Sequence, residues 1–461
     1  NSYSKSAMHS SRHRKGEFMK YRPVIGLEVH VELKTKSKMF CSCPADYFGK
    51  EPNTYVCPVC LGLPGALPIP NKTAIDWCIM IALALNCKVT NVSKFDRKSY
   101  FYPDLPKGYQ ISQYDEPFGV EGFIKLKTEN SKQKTICIRR VHMEEDTGKL
   151  THAQVDGKRV SLIDFNRSGI PLVEIVTEPD FDSSAQVTEY LQKIQQIVRY
   201  LNVSNADMEK GDMRLEPNIS LRDITTESLP KYKVEVKNIN SFRFVARAIE
   251  SEIVRQSEIL NKGQTPIQET RGWNEKKNTT ISQRTKEEAH DYRYFPEPDI
   301  PPIITGNEEI ERIHSLIPKM PEERELEFIK LGLSPYTAQV SAATVERADF
   351  VKTAIVYAGT QNLDARGTAN YVTNRLISRI GTITPDEAVE QYKQQLNRTI
   401  VSSDEIKKAI KTVLSENPKV VEDYNSGKTQ VLGFLIGKVK TLLPPNSSSE
   451  NISELIEQAL K

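Results

Sequence analysis

The stretch Val24–Leu33, VIGLEVHVEL, constrains the fold of this chain more than any other segment. Side chains alternate across a strand, so Leu27, Val29 and Val31 fall on one face and Glu28, His30 and Glu32 on the other. The pattern predicts a strand with one apolar face. Its polar face reads in two ways, as the solvated side of a half-exposed strand or as one wall of a polar cleft. Carboxylates favour Mg²⁺, and imidazole with carboxylate accepts several divalent ions. A second set of ligands elsewhere in the chain is what would favour the cleft.

With 461 residues the chain has room for about two to four domains, each with its own core. The longest apolar run, Ala74–Leu85, carries Asp76 and is too short to span a bilayer, so it predicts a buried helix capped by Asn71 or Thr73. Lys and Arg total 63 against 60 Asp and Glu. That balance neither demands nor excludes nucleic acid, and confines any RNA surface to a local patch. The seven cysteines can all stay reduced, and four are clustered as metal ligands would be. With no stretch that reads as a secretory signal, the expectation is a reducing compartment: the cytoplasm of a bacterium, or alternatively an organellar matrix. Residues 1–20 read as a flexible basic extension.

Cys41-Ser42-Cys43 and Cys57-Pro58-Val59-Cys60 are separated by 13 residues. Four thiolates at this spacing can enclose a structural Zn²⁺, and no water-activating His lies among them. Reduced thiols without metal are the plainer reading. Ser99–Gly119 is rich in Pro, Gly and Tyr and predicts an irregular loop, either a pocket wall in which Lys107 reaches an anion or a loop packed on the core. The strand-like Ile136–Val141 runs into His142-Met143-Glu144-Glu145-Asp146-Thr147-Gly148-Lys149. These are solvated charges at a strand end, or with Glu28 and His30 they complete a Mg²⁺–nucleotide site. Further on, Arg214 and Asn218 could position a phosphate, and Glu235 stands on a short strand between Lys233 and Lys237. Pro296, Pro298, Pro301 and Pro302 mark a boundary, after which helical periodicity dominates. From Val401 a last module has eight Lys, eight acidic residues and no Arg, which suits a docking module but not an intensely basic RNA clamp.

Several of these segments, in order, resemble the B-subunit family of the tRNA-dependent aspartyl/glutamyl amidotransferases, close to the archaeal E type. The resemblance is carried by IGLEVHVEL, FCSC...CPVCLGLPGALP, SYFYPDLPKGYQISQ, HMEEDTGK, DFNRSGIPLVEIVTEPDF, EVKNINS and ETRGWNE...RYFPEPD. It implies an α+β protein: a cradle-shaped mixed α/β catalytic domain at 21–300 with a zinc-knuckle insertion, a helical domain at 301–398, and a small all-helical tail at 399–461 that engages tRNA. It also implies partners: an A-type amidase subunit, which supplies ammonia, a small C-type accessory subunit, and mischarged tRNA, with no membrane involved.

The activity implied is ATP-dependent phosphorylation of the side-chain carboxylate of Glu on tRNA(Gln) or Asp on tRNA(Asn), followed by attack of ammonia to form the amide. By the family pattern Glu28, His30, Glu144, Glu145 and Glu235 are the catalytic, Mg²⁺-binding residues. Lys107, Lys149, Arg214 and Asn218 bind phosphate or line the approach, and Cys41, Cys43, Cys57 and Cys60 hold zinc. Asp212 and Glu216 depart from the pattern, and the terminal GKVKTLLPPNSSSE lacks the family's usual ending. ATP chemistry here does not use a P-loop, since no GxxxxGK[ST] occurs, nor is there an amidase nucleophile constellation. A noncatalytic tRNA-binding scaffold and a metal hydrolase are the readings from other classes.

Overall fold

The structure is a computed structural model that describes residues 20–127, 133–285, 292–396, 403–426, 429–443 and 452–460. Apart from Lys20, the expected basic extension lies outside the described residues, as do the PPNSSSE segment and the side chain of Ser403. The chain divides into two compact units, between Pro321 and Glu322.

The first unit carries the strands. In chain order they are β1 (Tyr21–Glu32), β2 (Lys88–Val89), β3 (Val92–Ser93), β4 (Asp96–Ser99), β5 (Tyr109–Ser112) and β6 (Gly119–Lys127). Next come β7 (Gln133–Glu145), β8 (Lys149–Val155), β9 (Lys158–Asp164), β10 (Pro171–Thr177) and β11 (Met213–Asp223). The last are β12 (Val234–Lys237), β13 (Glu269–Asn274), β14 (Thr279–Thr285), β15 (Phe295–Pro296) and β16 (Ile303–Ile304). Nine of them form one sheet in the order β14-β13-β12-β11-β1-β10-β7-β6-β2. Within it β12 and β13 run parallel, and the other neighbours are antiparallel.

The alternation in β1 decides how this sheet is used. Leu27, Val29 and Val31 are buried in one large core with residues of three helices, α1 (Lys72–Ala84), α2 (Ser184–Tyr200) and α3 (Phe242–Asn261). Burial of each such side chain stabilises the unit by about 1.5–3 kcal/mol. The expected cap at Asn71 forms, its side chain accepting from the Ala74 N–H, and the structure adds caps at Ser183 and Ser241, which accept from the Gln186 and Phe244 N–H groups. In α2 the stripe Val187, Tyr190, Leu191 and Ile194 is fully buried, and Ile197 packs at its margin. Gly122 in β6 marks a close approach, because a Cβ there would stand 2.3 Å from Cys87 Sγ and 2.8 Å from the Leu85 carbonyl. A fourth helix, α4 (Asn307–Ser315), follows the proline-rich segment and buries Ile313 in this same core.

In the second unit the described residues form helices from α5 (Pro321–Lys330), which begins at the division, to Ile452–Leu460, and two apolar clusters. One gathers Phe328, Ala338, Val351, Ala354, Val372 and Val389; the other gathers Ile406, Ile410, Val413, Leu435, Val439 and Ile456. The whole is α+β, as expected: strands concentrated in the first part of the chain, helices in the rest.

Candidate functional site

With one face of β1 committed to the core, the opposite face gathers polar groups from its neighbours. Antiparallel register sets His30 opposite Glu174 of β10 on one side and Arg214 of β11 on the other. Glu28 is opposite Glu216, and Asn218 of β11 is opposite Glu235 of β12. On the far side of β10, His142 is opposite Glu174 and Glu144 opposite Leu172.

Two groups of donors result. His30, Glu144 and Glu174 each offer a ligand atom within 4.8 Å of the others, and so do Glu28, Glu216 and Glu235. In the first, His30 Nε2 stands 3.4 Å from Glu144 Oε1 and 3.6 Å from Glu174 Oε2. His142 Nε2 reaches the same Glu174 oxygen at 3.1 Å. Glu144 Oε2 is buried and has no hydrogen-bond partner. A bare buried carboxylate oxygen is costly, and a cation at that point would satisfy it. In the second group Asn218 Nδ2 donates to Glu28 Oε1 at 3.0 Å and Thr270 Oγ1 to Glu235 Oε2 at 2.8 Å. Lys237 Nζ lies 3.0 Å from Glu216 and 3.5 Å from Glu235.

Electrostatics ties the groups together. Burial raises the pKa of Glu28, and the charges of Glu174, Glu216 and Glu235 push it further up. Burial alone would lower His30, but the Glu174 charge and hydrogen bonds to Glu144 and Glu174 hold it well above 6.5. Burial likewise works against Glu174, yet His142 and His30 keep it well below the usual carboxylate range. Lys98 of β4 faces the same carboxylates: burial opposes its charge, and Glu144, Tyr294 and Glu174 more than restore it. Its Nζ sits 5.0 Å from the centre of the Tyr292 ring.

Other residues singled out in the sequence stand elsewhere. Glu145, one residue beyond Glu144, turns to the opposite side of β7. There it pairs with Lys107, accepts from the Ile111 N–H at 3.0 Å, and lines a cavity of about 210 Å³ with Cys41, Cys60 and Lys107. Arg214 makes a two-pronged bond to buried Asp146, at 3.1 and 2.7 Å. Lys149 is exposed at the start of β8, in a separate two-stranded hairpin with β9.

The four cysteines Cys41, Cys43, Cys57 and Cys60 bring their sulfurs within 4.8 Å of one another. A tetrahedral ion with Zn–S bonds of about 2.3 Å needs sulfurs roughly 3.8 Å apart. Cys57 and Cys60 meet that at 3.9 Å, and the Cys57 N–H donates to Cys60 Sγ at 3.1 Å. The Cys60 thiol is held low, at about 5, chiefly by a hydrogen bond from Cys41 against the effect of burial. The donor set fits zinc.

Comparison with known proteins gives the family. Residues 23–311 match the family described as the GatB/GatE catalytic domain, and residues 368–460 match the GatB domain. Proteins named as the B subunit of aspartyl/glutamyl-tRNA(Asn/Gln) amidotransferase are similar over nearly the whole chain. That of Thermoanaerobacter pseudethanolicus is 42% identical over 96% of this chain and 100% of its own length. Those of Caldanaerobacter subterraneus and Persephonella marina are each 43% identical over 96% of this chain and all of their own.

The chain belongs to the GatB/GatE family. Within this GatB/GatE chain, the sequence does not single out Glu174, Lys98 or Lys237 as site residues, and it offers Glu216 as a neighbour of Arg214 and Asn218 close enough to hold either residue or a metal. Glu174 has a signal of its own, a carboxylate inside LVEIVT, where all seven positions of β10 are buried. Lys98 and Lys237 carry none, because a lysine at a strand end usually faces water. No helix among the described residues is long and apolar enough to cross a membrane.

Proposed function

We propose that this chain is the tRNA-amidating subunit of an aspartyl/glutamyl-tRNA amidotransferase. It activates the side-chain carboxylate of Glu on tRNA(Gln), Asp on tRNA(Asn), or both, and converts it to the amide. The observation that carries the reading is the convergence of His30, Glu144 and Glu174 with Glu28, Glu216 and Glu235 on one sheet face, beside the cations Lys98 and Lys237. Family membership supplies the substrate, since the relatives are named for it.

A carboxylate resists attack by ammonia because its charge is shared between two oxygens. Transfer of the γ-phosphoryl group of ATP to one of those oxygens releases ADP and creates a leaving group. Ammonia then attacks the carbonyl carbon, the C–O bond to phosphate breaks, and inorganic phosphate and the amide result. Mg²⁺ bound by these carboxylates and His30 would neutralise phosphate charge during transfer. Lys98 and Lys237 would hold phosphoryl oxygens, and Asn218 and Thr270 keep Glu28 and Glu235 aimed inward. Arg214, committed to Asp146, acts on phosphate only by leaving that pair, while Lys107 and Glu145 belong to the side that carries the knuckle. Zinc would close the loop of Cys41, Cys43, Cys57 and Cys60 without taking part in the chemistry.

Ammonia would come from an A-type amidase subunit, with a small C-type subunit as accessory, and residues 399–461 would engage the tRNA. The setting is a reducing compartment that holds aminoacyl-tRNA, the bacterial cytoplasm or an organellar matrix. Reconstitution with the amidase and accessory subunits, presenting Glu-tRNA and Asp-tRNA separately, tests the proposal. It requires ATP-dependent formation of at least one amide. Tight tRNA binding without any amide product would leave only a scaffold.

A further inference from the structure

Lys38 is fully buried, with 0% of its surface exposed. Its ammonium has two partners, Cys60 Sγ at 3.7 Å and the Phe165 carbonyl at 3.3 Å, and no carboxylate among the described residues. Glu145, on the same side of the sheet, is already matched by Lys107 and the Ile111 N–H. An ammonium withdrawn from water costs several kcal/mol unless a full counter-charge stands beside it, and one cysteine sulfur with a carbonyl is a poor substitute. Four thiolates around Zn²⁺, by contrast, leave a centre with a net charge of about −2. The unmet demand of the lysine and the surplus of the knuckle lie in direct contact.

The surrounding backbone gives that contact a mechanical consequence. The Lys38 N–H donates to the Cys43 carbonyl at 2.9 Å, so the lysine is anchored to both cysteine pairs. The Met39 N–H donates to the Gly169 carbonyl at 2.7 Å, and Ser168 Oγ donates to the Cys60 carbonyl at 3.2 Å. The Gly169 N–H in turn reaches the Asp146 carbonyl at 2.9 Å, two residues beyond Glu144. Gly169 has φ +86°, and a Cβ there would stand 3.4 Å from Cys60 Cβ and 3.5 Å from Lys38 Cδ. The turn at 165–169 thus closes directly over the lysine and the knuckle.

We infer that Lys38 is the outer counter-charge of the zinc knuckle, donating to the Cys60 thiolate and binding the centre to the 165–169 turn that supports the end of β7. This rests on the zinc reading of the four cysteines. Lys38 is a positioning residue: it touches neither substrate nor the acidic face. Its loss removes the ammonium held against the tetrathiolate centre, and outer-sphere partners of this kind typically change metal affinity about 10- to 100-fold.

The test uses the full chain and zinc alone. Zinc content is measured on the purified protein, then zinc affinity by competition with a chromogenic chelator, for wild type, Lys38→Met, Lys38→Gln and Lys38→Arg. The expected result is stoichiometric zinc in wild type, affinity lowered about 10- to 100-fold in Lys38→Met and Lys38→Gln, and affinity within about threefold of wild type in Lys38→Arg. Rescue by Arg separates charge from packing, because Gln retains a donor but no charge. Should Lys38→Met fail to fold, the Gln and Arg variants decide alone. Wild type with bound zinc and a Lys38→Gln variant of equal affinity would overturn the role of Lys38 while leaving the knuckle in place. Wild type without zinc would overturn both.

Discussion

Glu174→Gln tests whether the sheet face binds a cation as a unit. The substitution preserves volume, planarity and one acceptor oxygen, but removes the charge that stands 3.1 Å from His142 Nε2 and 3.6 Å from His30 Nε2. One of three donors in the His30–Glu144–Glu174 group becomes a weak neutral ligand, and both imidazoles lose the anion that orients them. Changes of that kind typically cost about 10- to 100-fold in metal affinity, or about 1.4–2.7 kcal/mol. One effect works the other way: the Glu174 charge also helps to hold the proton on His30, so its loss eases proton competition. Measurement at about pH 8.5, where that competition is weaker, isolates the ligand effect. Mn²⁺ serves as a paramagnetic substitute for Mg²⁺, and its free concentration is read by electron paramagnetic resonance. Glu178→Gln is the control, since Glu178 is half-exposed, lies outside both donor groups and pairs with Arg139 at 2.7 Å. A Mn²⁺ dissociation constant for Glu174→Gln within twofold of wild type would refute the reasoning.

Other outcomes follow from separate parts of the molecule. Glu252 is fully buried and accepts from Arg255 at 2.8 Å and Gln256 at 3.0 Å, with Arg271 Nε at 3.1 Å. Glu252→Gln should therefore destabilise the first unit by about 3–5 kcal/mol at pH 7, read as a lower urea midpoint by the fluorescence of Trp77 and Trp273. Burial raises the Glu252 pKa, but Arg255, Thr280 and Gln256 outweigh it and hold the carboxyl below 4.5. Its stabilisation is thus complete above pH 4.5 and is lost as pH falls through the lower folded value, so the difference between variant and wild type should shrink in acid. Cys57→Ser with Cys60→Ser should abolish stoichiometric zinc; retained zinc in the folded double variant would contradict the knuckle. Deletion from Val401 should weaken binding of charged tRNA more than binding of ATP, and equal tRNA affinity would remove the tail from recognition.

Much of the fold could be read because its signals are local. The period-two pattern of Val24–Leu33 forms the fifth strand of nine, Asn71 caps α1, and the stripe from Val187 to Ile194 is core. The site was less legible because strand register is a long-range property. Glu28 and His30 could be paired with the HMEED segment in outline, yet nothing local says that Glu174 comes to rest between His30 and His142. Composition makes LVEIVT a core strand first, and its carboxylate gains meaning only from the neighbours that register supplies. Glu144 and Glu145 are the reverse case. Once β7 is seen to run to Glu145, period two alone sends their side chains to opposite sides. Arg214 illustrates a third limit: a cation near an acidic segment reads equally well as a phosphate ligand or as the partner of Asp146. Likewise the prolines at 296–302 announce a break, but which core receives the next helix depends on where Ile313 lands.

The reaction itself offers the sharpest test. ADP formation and acyl phosphate on Glu-tRNA or Asp-tRNA are measured in the reconstituted complex, with wild-type chain and with Glu28→Gln and Glu144→Gln combined. Losing one carboxylate from each donor group should lower both products by more than about a hundredfold while tRNA stays bound. Undiminished phosphorylation in a correctly folded double variant would mean that the reaction centre lies elsewhere.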